Sequence, residues 1–296
     1  MAACLLSRKY TSILFTLWLV FLLSISGCQN KESGDIPDEL KKIGGNILFV
    51  GGKGDTRIQK YNLATGQCSI FIDVPFILTA PQIIYEERSV LCWSENGIYK
   101  LAGDKLLKIF DSKLSNYCYL GNNRIAYIPK GTDNYTIRMT DLKTGISKDI
   151  IELPNKYSDL TSFRNILMFS RNDGLNNNSI YRLQIFDDNS KGAQFIAKGE
   201  CPRISLDGKK LAYIDLKDSE IVIRDLRTNI TERTGVKWVA ELAWLQGDWV
   251  IYERWRSKPF FDWLELGVAD YKTGKTYALV RGNAGYFGSG LAWMDF

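Results

Sequence analysis

The sequence predicts an all-β fold, a six-bladed β-propeller of four-stranded antiparallel blades. Three observations predict it. First, the stretch from Cys201 to Gly235 holds four short apolar or alternating runs, separated by turn residues at Asp207-Gly208, Lys217-Asp218 and Thr228-Asn229. Period-two alternation bounded by turns is the strand pattern, so these residues read as one antiparallel meander. Second, degraded copies of that meander recur. The turns between third and fourth strands fall near Gly66, Gly103, Gly145, Gly192, Asn229 and Gly274, and a period of roughly forty residues is the signature of a propeller. Third, Gly290-Leu291-Ala292-Trp293 copies Glu241-Leu242-Ala243-Trp244, the first strand of the sixth unit, while the first unit lacks its innermost strand. The C-terminal strand is expected to join blade one and close the ring, which leaves only short, protected edges. An open sandwich of hairpins gives no reason for that missing strand and its copy.

Composition narrows the function classes. With 45% hydrophobic and 24% charged residues the chain is of globular type. It has no histidine. That removes Ser-His-Asp and Cys-His nucleophilic sites and the commonest zinc ligand. The net charge of +5 is mild and has no long basic run, so nothing points to nucleic acid.

The N-terminus reads as an address. Arg8 and Lys9 precede an apolar run from Ile13 to Ile25, which ends in Ile25-Ser26-Gly27-Cys28. The run is short for a spanning helix of about 20 residues and has the build of a signal peptide. Its end resembles a bacterial lipobox. That resemblance implies a signal peptide over residues 1–27 and a lipidated Cys28 that holds the protein to a membrane. An uncleaved anchor or an ordinary signal peptide is the alternative. Gln29 rather than Asp after the Cys leans toward the outer membrane, if the organism has one. Residues 28–45 read as the lipidated Cys and a flexible, polar tether, and residues 46–296 as the propeller.

Blade one takes strands over 46–51, 57–63 and 67–72. Blade two takes 81–85, 89–94, 97–101 and 105–110. Blade three takes 117–120, 124–129, 135–141 and 147–151. Blade four takes 160–163, 165–169, 179–186 and 193–197, with a long loop from Arg171 to Asn178. Blade five is the Cys201–Gly235 meander. Blade six takes 241–244, 249–253, 263–270 and 275–280. Asp or Asn heading a turn bonds its own backbone two residues on, and Gly at its end supplies a positive φ. The Asp-x-x-Thr-Gly sets at Asp141 and Asp270 are therefore read as turn chemistry.

Blade five also resembles a known family. Pro202-Arg203-Ile204-Ser205-Leu206-Asp207-Gly208-Lys209-Lys210-Leu211-Ala212-Tyr213, followed by Ile221-Val222-Ile223-Arg224-Asp225-Leu226, is similar to the WD40-like repeat of TolB-type propellers. Leu206 stands where that repeat has Pro, and Asn229 where it has Gly. Blades one, three and six keep mainly the turn. The resemblance implies a non-catalytic protein-interaction platform in the cell envelope, with a protein partner it does not identify.

Candidate sites are few. Glu253-Arg254-Trp255-Arg256-Ser257-Lys258-Pro259-Phe260-Phe261-Asp262-Trp263 reads as a long aromatic and basic loop in blade six. Exposed Trp and Arg anchor interfaces, so Arg254, Trp255, Arg256, Lys258, Phe260, Phe261 and Trp263 are the partner-binding candidates. The alternative is a loop folded back on its own blade. The polar Arg171–Asn178 loop lacks the spacing and bidentate Glu of a calcium site. Cys68, Cys92, Cys118 and Cys201 have no C-x-x-C spacing and read as buried thiols, with a disulfide left open. No catalytic set, metal set or cofactor motif is found, and the reading is of a non-enzyme. A glycan-binding or glycan-cleaving propeller is the alternative, but it needs channel-facing carboxylates, and the six first strands as read offer only Glu241.

Overall fold

The structure is a computed structural model. It describes residues 36–50, 57–76, 78–131, 135–153, 157–174, 177–185, 192–258, 261–283 and 290–296. Residues 1–27, expected to be a signal peptide, and Cys28 lie outside these.

A short helix, α1 (Asp38–Ile43), leads into blade one. That blade holds β1 (Asn46–Val50), β2 (Ile58–Asn62) and β3 (Cys68–Ile72). Blade two holds β4 (Thr79–Ile84), β5 (Ser89–Ser94), β6 (Gly97–Ala102) and β7 (Lys105–Phe110). Blade three holds β8 (Leu114–Gly121), β9 (Arg124–Pro129), β10 (Tyr135–Asp141) and β11 (Ser147–Leu153). Blade four holds β12 (Tyr157–Phe163), β13 (Ile166–Asn172), β14 (Asn178–Gln184) and β15 (Gln194–Lys198). Blade five holds β16 (Glu200–Ile204), β17 (Lys210–Asp215), β18 (Glu220–Asp225) and β19 (Thr231–Arg233). Blade six holds β20 (Val239–Trp244), β21 (Trp249–Lys258), β22 (Phe261–Asp270) and β23 (Thr276–Asn283), and β24 (Leu291–Met294) follows.

The six sheets are four-stranded, and in the first the order is β24-β1-β2-β3. The C-terminal strand pairs with β1 from Asn46↔Met294 to Phe49↔Leu291. The ring closes as the duplicated Leu-Ala-Trp sequence predicts. The core is divided among the blade-to-blade interfaces. Met168, Ile180, Leu211 and Val222 fill the interface of blades four and five. Ala243, Ile251 and Val268 of blade six meet Ile47, Phe49 and Trp293 of blade one. Each blade buries both faces against its neighbours, which is why the inner strands read as apolar runs.

The turn chemistry is as expected. Asp225 Oδ1 accepts from the N–H groups of Arg227 (3.0 Å) and Thr228 (2.7 Å). Asn229 takes a φ of 62° where the sister turns place Gly145 and Gly274 at 71°. Asn tolerates that left-handed conformation better than other non-glycine residues, so the departure from the repeat leaves the turn intact.

Three expectations need correction. The tether reading fails over residues 36–45. Ile36 and Leu40 are buried in the core shared by blades six and one. One apolar side chain per helical turn sufficed, because the blades supply the rest of the contact surface. The blade-six stretch read as a loop is paired strand among the described residues. β21 and β22 run ten residues each and stay paired from Trp249↔Asp270 to Lys258↔Phe261. The blade-four strands likewise run on to Asn172↔Asn178. In both hairpins charged and polar residues broke the apolar alternation, although the ladder needs only backbone partners.

Candidate functional site

Two places gather functional groups. They are the central channel and the blade-six hairpin.

The innermost strand of each blade is a sheet edge, so its outward-facing N–H and C=O groups need partners from elsewhere. Neighbouring blades supply them with side chains. Tyr85 Oη donates to Trp293 O (2.9 Å) and Gln82 Nε2 to Tyr117 O (2.7 Å). Asn116 Oδ1 accepts from Leu160 N (3.3 Å), and Trp244 Nε1 donates to Arg203 O (2.7 Å). Much of the channel's polar inventory is thereby committed to the wall.

Five inner strands carry a β-bulge near their first residues, at Thr79/Gln82, Leu114/Asn116, Ser158/Leu160, Glu200/Arg203 and Val239/Glu241. Ala80, Asp159 and Cys201 take positive φ there. Bulges re-aim side chains, and at this level the channel holds a charged cluster. Arg203 Nη2 meets Glu241 Oε1 at 2.5 Å. Asp159 Oδ2 accepts from Ser170 Oγ (2.9 Å) and Cys201 N (3.4 Å). Burial pushes the Glu241 carboxyl up, Arg203 opposes the shift and Asp159 adds to it. Glu253 lies directly across from Glu241 on β21 and is 2% exposed. Its Oε1 has no hydrogen-bond partner. Burial holds this carboxyl well above the usual range, and the Glu241 charge pushes it further.

The strand limits read from the sequence began too late to include Asp159, so the count of one channel carboxylate was too low. The bulges caused the error, because they break strict alternation before the apolar part of each strand begins.

Beyond the cluster lies a cavity of about 1040 Å³. It opens toward the turns that follow the first strands, where Tyr85, Glu86, Glu87, Phe163, Arg164 and Asp207 stand. Cys92, Cys118 and Cys201 are buried thiols. Burial pushes Cys118 up to about 12 and Cys201 well above its ordinary value, which leaves both inert. Cys68, half-buried on β3, is disulfide-bonded, which corrects its reading as a buried thiol. Among the described residues no group of His, Cys, Asp or Glu has the arrangement of a metal site.

The blade-six hairpin is a rigid ladder on the opposite end of the ring. Arg254 on β21, Glu265 on β22 and Arg281 on β23 stand in one cross-strand row. Glu265 is 3% exposed, and Arg254 reaches its Oε1 with Nε at 2.7 Å and Nη2 at 2.5 Å. Arg256 Nε and Arg281 Nε lie 3.6 and 3.7 Å from Oε2. Trp255 is 39% exposed, and its N–H donates to Trp238 O at 2.9 Å. Trp238 is 67% exposed. Of the sequence candidates, Arg254, Trp255 and Arg256 are thus brought together. Lys258, Phe261 and Trp263 occupy ladder positions opposite Phe261, Lys258 and Arg256. Phe260 lies outside the described residues. Sequence reasoning missed Glu265, Arg281 and Trp238. The first two sit in strands that alternate normally, and Trp238 lies between blades, where only tertiary placement exposes it.

The chain enters at the other end. Tyr277 Oη donates to Glu39 (3.0 Å) and Trp293 Nε1 to Gly44 O (3.3 Å). These contacts seat α1 beside the turns between third and fourth strands, on the side where the cavity opens.

The molecule is thus a closed six-bladed propeller whose channel wall is joined by side-chain-to-backbone bonds. Its fold is TolB-like. It superposes on TolB from Acinetobacter baumannii with a TM-score of 0.67 at 16% identity, over 84% of this chain and 66% of that one. The chain therefore spans just under two thirds of that relative's length. A nidogen/laminin complex gives 0.64 at 11% identity, over 84% and 98% of the two chains. A puromycin-hydrolysing peptidase from Mycobacterium tuberculosis gives 0.55 at 13%, over 80% and 44%. No protein-family model and no curated protein matches the sequence. Relatives so diverse share a fold, and function has to be argued from the site.

Proposed function

We propose that this protein is a cell-envelope lipoprotein, anchored through Cys28, whose propeller is a non-catalytic scaffold for another protein. The observation that carries the reading is the polarity of the ring. The chain enters on the cavity side, and the aromatic and basic hairpin of blade six stands on the other. Seven residues lie between Cys28 and Ile36, eight Cα steps with a reach of at most about 29 Å. An anchored ring would hold its cavity side toward the bilayer and its hairpin away from it. Exposed Trp and Arg on a rigid ladder are the composition of an interface anchor. The TolB-like fold and the nidogen/laminin likeness are in keeping with protein partners.

The test is a crosslinking pull-down from the envelope, with palmitate labelling of the same samples. Wild type is compared with Trp238→Ala/Trp255→Ala/Arg256→Ala, shown to fold by circular dichroism, and with Cys28→Ser. A protein recovered by the wild type and lost by the triple variant is the expected result, with label lost only from Cys28→Ser. Recovery of no protein by the wild type would sink the scaffold reading, and label retained by Cys28→Ser would sink the anchor.

A second reading has one observation in its favour. The cavity mouth sets Tyr85 and Phe163 beside Glu86, Glu87 and Asp207, a mixture suited to a glycan. Screening the wild type against envelope glycans would decide it.

A further inference from the structure

Among the described residues, the blade-six ladder carries more positive than negative charge. Three guanidinium groups surround the one carboxylate of Glu265. Arg254 takes its Oε1. At 3.6 and 3.7 Å, Arg256 and Arg281 are too far from Oε2 for hydrogen bonds. Each stands at ion-pair range of the same oxygen, and their side chains are 44% and 53% exposed. Among the described residues the local balance is an excess of two positive charges. The two forks are held near a common point by β21 and β23, which pair with the same strand. The single Glu265 charge offsets only part of the mutual repulsion of three converging guanidinium groups. A guanidinium fork matches a carboxylate in shape as well as charge.

We propose that Arg256 and Arg281 together seat a carboxylate from an acidic segment of a partner protein. The proposal rests on the scaffold reading and names the chemistry of its partner. A lipid phosphate would offer similar charge. The hairpin, however, stands on the side of the ring opposite the entry of the chain, where an anchored molecule faces away from its bilayer.

The experiment measures fluorescence polarisation of a labelled hexaglutamate peptide with the full chain. Hexalysine, inorganic phosphate and phosphatidylglycerol vesicles serve as comparison probes. The wild type should bind hexaglutamate, with affinity that falls as salt rises, and should not bind hexalysine. Arg256→Gln/Arg281→Gln should lose about tenfold or more, the equivalent of about 1.4 kcal/mol. Arg256→Lys/Arg281→Lys keeps the charge without the fork and should lose part of that. Lys143→Gln/Arg227→Gln, at exposed turns on the other side of the ring, should change nothing. Unchanged hexaglutamate affinity in the Gln pair overturns the proposal. So does tighter binding of phosphate or vesicles than of peptide through the same arginines. A partner recovered equally by wild type and the Gln pair would leave the scaffold standing and reject this seat.

Discussion

Replacing Trp293 with alanine tests how the ring is held shut. Trp293 is the third residue of the four-residue closing strand β24, opposite Ile47 of β1. It is buried with Ile36, Leu40, Tyr61 and Leu63. Its indole N–H reaches Gly44 O at 3.3 Å, and its own carbonyl accepts from Tyr85 of blade two at 2.9 Å. One side chain thus joins the C-terminal strand, the entry helix and blade one, and its backbone ties in blade two. A buried Trp→Ala change costs about 3–5 kcal/mol. Whole domains are stable by only about 5–15 kcal/mol. For a chain of this size the loss corresponds to a melting temperature lower by about 6–20 °C. Urea unfolding followed by far-ultraviolet circular dichroism measures it. Ile230→Ala, at an exposed turn position, is the control and should stay within about 0.5 kcal/mol. A chain ending at Gly290 loses Leu291, Ala292, Trp293 and Met294 together, all buried, and should not fold into a closed ring. A loss below about 1 kcal/mol for Trp293→Ala, or a truncated chain with wild-type stability, would refute the account of closure.

Two further predictions follow from the channel cluster. Glu253 has its folded pKa raised by burial and by Glu241, so its proton is bound more tightly in the folded than in the unfolded chain. Its contribution is complete below the ordinary carboxyl range and is lost as pH rises toward the folded pKa. The wild type should therefore lose stability relative to Glu253→Gln by up to about 1.4 kcal/mol per pH unit across that window. Parallel pH curves for the two proteins would show that Glu253 is not buried protonated. Arg203→Met strands Glu241 in the buried cluster without its 2.5 Å partner and should cost about 3–5 kcal/mol, most of it regained in Arg203→Met/Glu241→Leu. If the single change costs less than about 1 kcal/mol in urea, the pair is solvated and the channel floor is wet.

The sequence and the structure part company at particular residues. The Asp225-to-Asn229 turn, the four strands of blade five and the β24 copy of β20 were legible because each depends on local chemistry. They rest on a side-chain oxygen over its own backbone, a period of two, and a repeated Leu-Ala-Trp. The partner candidates Arg254, Trp255 and Arg256 were legible as residue types but not as a ladder. Charged residues at a strand's far end look like a loop when only apolar periodicity is read. α1 was illegible for the converse reason. Its polar sequence hides one leucine whose burial depends on the blades beneath it.

By itself, then, the sequence determined the number of blades, the closing strand and the turns, because repetition and short-range backbone preferences are written along the chain. Only the tertiary structure decided which charges converge. Arg203 and Glu241 come from different blades, and Glu265 and Arg281 from strands whose alternation shows nothing unusual. The position of each depends on bulges, on ladder register and on the rotation from one blade to the next. Those are set by the packing of whole sheets, which no short stretch of the chain encodes alone.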